Sequence, residues 1–314
     1  MWMLRQGASV VCGGALTVLD RWQSAQARAG IPSPLLPWMQ RRLRLHQHHW
    51  AYKGEPDDLF VASYPKSGTT LVQMLLYQIM TDGHMRIGHI SDFAPHLEIE
   101  LYYGRREWGM SALPRPRVVK THLPYRLVPR GPGRYIYVMR NCLDVLISAY
   151  HQFVRAYPQY AGTCDEFARM ALSGHLEQGT WSGHVAEWTA NKAGLNVLYV
   201  TYEELQTDLV ESGMRIAKFC DIERGEVQWQ TIASKCSFEF MRAHERQFDP
   251  IGARRSPHPP ADDHFIRRGV VGGGRAAFSS ETIRLVAEQF QRHLGNLTVP
   301  QCLYPDSAGL SGCP

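Results

Sequence analysis

Asp58-Leu-Phe-Val-Ala-Ser63 is an apolar run of buried-strand length, and it feeds directly into the polar loop Tyr64-Pro-Lys-Ser-Gly-Thr-Thr70. From Thr69 to Met80 the apolar residues Leu71, Val72, Leu75, Leu76 and Ile79 recur at helical spacing. Strand, glycine loop, helix is a format in which backbone N–H groups and the positive end of the helix dipole both face an anion. The general Walker template, G-x-x-x-x-G-K-[ST], places its lysine after the second glycine. Here Lys66 precedes Gly68 and no matching glycine stands upstream, which disfavours a Walker-type kinase or NTPase. The underlying logic, an anion held by amides, hydroxyls and one ammonium, is unchanged.

Three further segments read as strands. Arg117-Val-Val-Lys120 ends in Thr121-His122-Leu123-Pro124, and Arg134-Tyr-Ile-Tyr-Val-Met139 runs into Arg140-Asn141 and a helix starting near Asp144. Asn196-Val-Leu-Tyr-Val200 leads into Tyr202-Glu203-Glu204 and a helix through Phe219. Strands alternating with helices predict a P-loop-like, three-layer α/β fold with a mostly parallel central sheet flanked by helices. A chain of 314 residues is long enough to bury such a core. No internal repeat is visible.

Residues 1–56 read as a helical N-terminal extension, and 301–314 as a C-terminal tail. Within the extension, Gly7 to Leu19 is an apolar run too short to span a bilayer and without the basic lead-in of a signal peptide; it predicts a helix that packs on the domain or lies on a membrane surface. His46, His48 and His49 could bind a metal or form a solvated polar face; no second ligand cluster follows, and no metal is expected. The segment from Asp249 to Pro260 reads as a mobile surface loop. Residues 261–275, with two adjacent arginines and four glycines, suit either closure around a phosphate or a flexible surface loop.

The seven cysteines, at 12, 142, 164, 220, 236, 302 and 313, form no C-x-x-C pair, and their odd count reads as reduced thiols in a reducing compartment. A formal charge of +5 fits an anionic ligand without requiring one, and no nucleic-acid signature accompanies it.

The order P-K-S-G-T-T after a buried strand resembles the 5′-phosphosulfate loop of cytosolic-type sulfotransferases, enzymes that use 3′-phosphoadenosine 5′-phosphosulfate (PAPS). The resemblance continues down the chain. Lys120-Thr-His-Leu-Pro124 is similar to the family's K-T-H-L-P segment, and Arg140 with Ser148 to its 3′-phosphate strand and helix. Gly179-Thr-Trp181 with His184 and Trp188 is also family-like, as is Tyr202-Glu203. Ser237-Phe238 with Met241, beside Cys236, is similar to its adenine segment, and Phe265-Ile-Arg-Arg-Gly269 to its closing loop. The likeness covers roughly residues 57–278, within a domain placed at 57–300.

The resemblance implies PAPS as sulfuryl donor, a small acceptor and a cytoplasmic protein; peripheral membrane contact is an expectation only of the N-terminal apolar segment read above. It implies His122 as general base, with Lys66 and Lys120 stabilising charge, and a donor site built from Lys66, Ser67, Gly68, Thr69, Thr70, Leu71, Arg140, Ser148, Tyr202, Cys236, Phe238, Met241, Arg267, Arg268 and Gly269. Sulfuryl transfer resembles phosphoryl transfer, in which alignment and charge stabilisation dominate. An imidazole suits proton removal at neutral pH, and arginine forks suit a terminal phosphate.

Three departures stand out. Leu71 occupies the place of a family tryptophan, Gly272-Gly-Gly-Arg-Ala276 replaces G-D-W-K-N and implies a more flexible lid, and the dimer segment is not reproduced between Arg275 and Arg284. A non-catalytic nucleotide binder is the third reading after sulfotransferase and NTPase; the presence together of Lys66, Lys120 and His122 weighs against it. Aromatic and histidine-rich stretches at 91–110, 149–160 and 249–260 are expected to wall an acceptor site suited to an apolar or aromatic alcohol, phenol or lipid.

Overall fold

The computed structural model describes residues 54–102, 113–249 and 264–306, except 82, 85, 175 and 177. The expected N-terminal helix, the three histidines near residue 48 and nearly all of the loop at 249–260 lie outside the described residues.

Four strands, β1 (Asp58–Ser63), β2 (Arg117–Thr121), β3 (Arg134–Met139) and β4 (Asn196–Thr201), form one sheet in the order β2-β1-β3-β4. Every neighbouring pair is parallel. Alternation explains the layers. Phe60, Ala62, Val119, Tyr135 and Tyr137 point to one face, whereas Leu59, Val61, Val118, Ile136 and Val138 point to the other. Both faces are covered, so β1 is buried along its whole length.

The first face packs against α3 (Cys142–Ala156), α4 (Cys164–Leu172), α5 (Trp181–Ala190) and α10 (Ser280–Leu294), with Tyr137 stacked on Trp188 at 4.7 Å. The second packs against α1 (Thr69–Met80), α6 (Tyr202–Thr207), α7 (Leu209–Phe219) and α8 (Glu226–Lys235). Two short helices, α2 (Leu97–Tyr102) and α9 (Phe238–Ala243), complete the described set. The chain still feeds the core beyond residue 300, since Cys302 and Leu303 are buried in the first cluster. Among the described residues, no helix is long and apolar enough to cross a membrane.

β2 and β4 each run one residue further than read, and two helices differ from expectation. The helix after β3 begins at Cys142 rather than near Asp144, because the Asn141 side chain accepts from Leu143 N–H at 3.0 Å and caps it. The single helix expected beside Tyr202-Glu203-Glu204 and through Phe219 is two helices, α6 and α7. Asp208 leaves helical geometry (φ −145°, ψ 90°), ends α6 and caps α7 by accepting from Glu211 N–H at 2.9 Å.

The strand order fixes the position of the functional site. From β1 the chain moves to β2 on one side, then crosses back to β3 on the other. The segments leaving the carboxyl ends of the strands thus diverge around a crevice, the usual ligand position in open parallel sheets.

Candidate functional site

The loop after β1 supplies the floor of the crevice. Lys66 is a non-glycine residue in the left-handed region at φ 71°, which costs energy and clusters at functional sites. Gly68 follows at φ 103°, where an added Cβ would sit 2.6 Å from Tyr202 Cδ2. No side chain caps α1, and Leu71 N–H already donates to the Gly68 carbonyl at 3.0 Å, which leaves the Thr69 and Thr70 amides at its start for a ligand. Ser67 Oγ is buried with no hydrogen-bond partner, and Ser63 and Thr69 share a hydroxyl contact of 2.7 Å.

His122 emerges from the end of β2. Its Nδ1 lies 2.9 Å from the carbonyl oxygen of Ser63, the last residue of β1. A carbonyl can only accept, so Nδ1 carries the proton and Nε2 keeps a lone pair. Burial first, then the charge of Lys120, hold the His122 pKa well below 6.5, so the ring is neutral at neutral pH. The backbone is fixed as well. Glu98, buried in α2, accepts from His122 N–H at 2.5 Å, and its other oxygen lies 3.3 Å from His96 Nε2. His184 Nε2 donates to the carbonyls of His122 (3.3 Å) and Leu123 (3.1 Å), while its Nδ1 accepts from Tyr137 OH at 2.8 Å. Burial keeps His184 neutral, its pKa pushed down to about 4.

The cations crowd one region. Burial, Lys120 and Arg140 lower Lys66 to about 7, and burial lowers Lys120 to about 8 against the pull of Glu98. Lys66 Nζ stands 4.7 Å from the centre of the Phe265 ring. The Arg140 guanidinium stacks 4.1 Å over Tyr202, and its Nε is buried without a partner. Such a group of desolvated positive charges is complementary to a polyanion.

One cavity of about 520 Å³ gathers these residues. Of the site residues expected from sequence, Lys66, Gly68, Thr69, Thr70, Leu71, Lys120, His122, Arg140, Ser148, Tyr202, Cys236, Phe238, Met241, Arg267, Arg268 and Gly269 line it. Ser67 does not; it belongs to the loop, but its side chain is turned inward, with the hydroxyl buried. Sequence reasoning missed Glu98 and Asp144, and it had His96 and Gln152 only as unnamed members of the expected acceptor walls. His96, Asp144 and Gln152 line the cavity, and Glu98 supports His122 from behind. A signal for Asp144 existed: it lies four residues before Ser148, hence on the same face of the helix, and Arg140 stands just ahead of that helix's cap. Of the expected acceptor walls, His96, Ile99, His151 and Gln152 reach the cavity, whereas residues 103–112 and 250–263 lie outside the described set. Among the described residues no group of three or more His, Cys, Asp or Glu side chains could hold a metal ion.

The family model for the sulfotransferase domain matches residues 56–298. Mouse sulfotransferase 1B1 is 28% identical over 269 residues, covering 82% of this chain and 89% of the relative. Rabbit amine sulfotransferase is 30% identical over 245 residues, covering 75% and 79%. The crystal structure of retinol dehydratase in complex with androsterone and the inactive cofactor PAP superposes with a TM-score of 0.67 at 24% identity, covering 80% of this chain and 84% of that one.

Proposed function

The chain belongs to the sulfotransferase domain family, and on that premise we propose that it moves a sulfuryl group from PAPS to the hydroxyl of a small, apolar or aromatic acceptor. The observation that carries this reading is His122: its Nδ1 is tied to the Ser63 carbonyl, leaving Nε2 as a base on a cavity lined by Lys66 and Lys120.

The residues present fit the donor. The uncapped amides at the start of α1 suit its 5′-phosphate, and the Ser67 hydroxyl, buried within the same loop, is left without a partner. Arg140, with its unpartnered Nε, together with Ser148, Arg267 and Arg268, suits the 3′-phosphate. Leu71, Tyr202, Cys236, Phe238 and Met241 supply apolar and aromatic surface for the adenine. When bound, PAPS supplies the activated sulfuryl group.

In this reading, His122 Nε2 takes the acceptor's hydroxyl proton as the oxygen attacks. An incoming polyanion offsets the field of Lys120, which raises the basicity of the ring. Lys66 and Lys120 donate to oxygens on which negative charge builds in the transition state. His96, Ile99, His151 and Gln152 also line the cavity and are available to an acceptor. The androsterone seated in the retinol dehydratase structure supports a small, largely apolar acceptor.

The test is twofold. 3′,5′-Adenosine bisphosphate (PAP) is expected to raise the unfolding temperature where ATP with Mg²⁺ does not, and labelled sulfate is expected to pass from PAPS to members of a panel of phenols, sterols, lipids and glycans. Stabilisation by ATP–Mg²⁺ alone would overturn the reading.

A further inference from the structure

We infer that Asp144 is a positioning residue for the donor site: its buried carboxylate clasps the backbone of the glycine run and thereby holds Arg267, Arg268 and Gly269 on the cavity wall beside Arg140. The inference rests on the proposed donor, because those residues matter only if they face it.

The geometry is specific. Asp144 sits in the first turn of α3, 2% exposed. Its Oδ2 accepts from Gly272 N–H at 2.8 Å and its Oδ1 from Gly274 N–H at 2.6 Å. Between these anchors and the cavity, Arg140 Nη2 donates to the Val270 carbonyl at 3.1 Å. The contact is close because residue 274 carries no side chain: a Cβ there would fall 2.3 Å from the Leu143 carbonyl carbon. At its other end the strap is held by Arg242, whose Nη1 donates to the Ile266 carbonyl and, at 2.7 Å, to the Arg267 carbonyl. Glu245 adds a contact of 2.6 Å to His264 Nδ1 and accepts from Ile266 N–H at 3.2 Å. Three consecutive glycines would by themselves disorder the lid; two amide bonds to one carboxylate remove that freedom.

Charge alone predicts the opposite behaviour. Asp144 lies 3.8 Å from Arg140 and repels any bound phosphate, so removing its charge should tighten anion binding if that were its whole effect. Positioning predicts weakening. Asp144→Asn keeps the shape but turns an N–H group toward one of the two amides. PAP affinity, measured calorimetrically, is expected to fall about tenfold or more. Tryptic cleavage after Arg267, Arg268 and Arg275 is expected to accelerate relative to cleavage elsewhere. Unchanged or tighter PAP binding by the variant would overturn the inference, as would an unaltered cleavage pattern. In the unmodified chain, the amides of Gly272 and Gly274 should exchange with solvent far more slowly than that of Gly273; exchange at loop rates would overturn it even if the variant fails to fold. If the wild-type chain does not bind PAP, the donor reading fails, while the cleavage and exchange results still decide the clasp.

Discussion

His122 and Ser63 are joined across adjacent parallel strands by a 2.9 Å hydrogen bond from the imidazole Nδ1 to a backbone carbonyl. The pairing of β1 with β2, in which Ala62 stands opposite Thr121, brings the next residue of each strand side by side. A main-chain oxygen thus selects the tautomer that frees Nε2, and substitution of the Ser63 side chain cannot remove it.

His122→Ala is expected to lower sulfuryl transfer by about 10²- to 10⁴-fold while leaving PAP affinity unchanged. Single-turnover transfer assays paired with calorimetry separate the two; retained turnover would exclude the residue as base.

The lysines make donor binding pH-dependent. In the free protein Lys66 titrates at about 7 and Lys120 at about 8, both lowered chiefly by burial. An anion between them favours their protonated forms and raises both values, so binding takes up protons near pH 8 and weakens as pH rises through this range. Calorimetry of PAP binding in buffers of different ionisation enthalpy measures this uptake; proton release would contradict it.

Acid should destabilise the fold through two histidines. His122 is held well below 6.5 and His184 at about 4, so from pH 6.5 downward the unfolded chain binds more protons than the native one. Stability therefore falls as pH drops from 6.5 toward the native values, with a slope approaching about 1.4 kcal/mol per pH unit for each imidazole. Urea unfolding across pH 4–7 tests the slope, which His184→Gln should reduce.

Gly68→Ala should cost about 1–3 kcal/mol of stability, since the position has φ 103° and the new methyl meets the Tyr202 ring at 2.6 Å. Because Arg140 stacks on that ring, PAP binding is expected to weaken as well. Thermal unfolding and PAP titration of the variant together check the claim.

Glu98→Gln tests the support behind the base. The carboxylate is 4% exposed; burial alone would raise its pKa, but His96 and the His122 N–H outweigh burial and lower it. Replacing it with a neutral amide weakens the charge-assisted bond to His122 N–H and is expected to reduce kcat about tenfold with donor affinity unchanged.

Much of the framework was legible before any coordinates. Asp58–Ser63, Arg134–Met139 and Thr69–Met80 have the bounds read from their apolar patterns, because a buried strand is a continuous apolar run of strand length and a helix carries its apolar residues at helical spacing. The break at Asp208 was hidden because both flanking helices present apolar residues in helical register, and only the side-chain cap separates them. Glu98 and His96 escaped notice because nothing near residue 98 in sequence announces a partner at residue 122.

The sequence by itself determined the strand, loop and helix around Lys66 and Gly68, since those conformations depend on residues only a few positions apart. Tertiary structure alone decided which nitrogen of His122 is free and what restrains the glycine run. The Ser63–His122 bond spans 59 residues, and the bond from Gly272 to Asp144 spans 128. Partners so distant meet only after the strands have paired and α3 has packed on the sheet, so their chemistry is a property of the folded chain rather than of any segment within it.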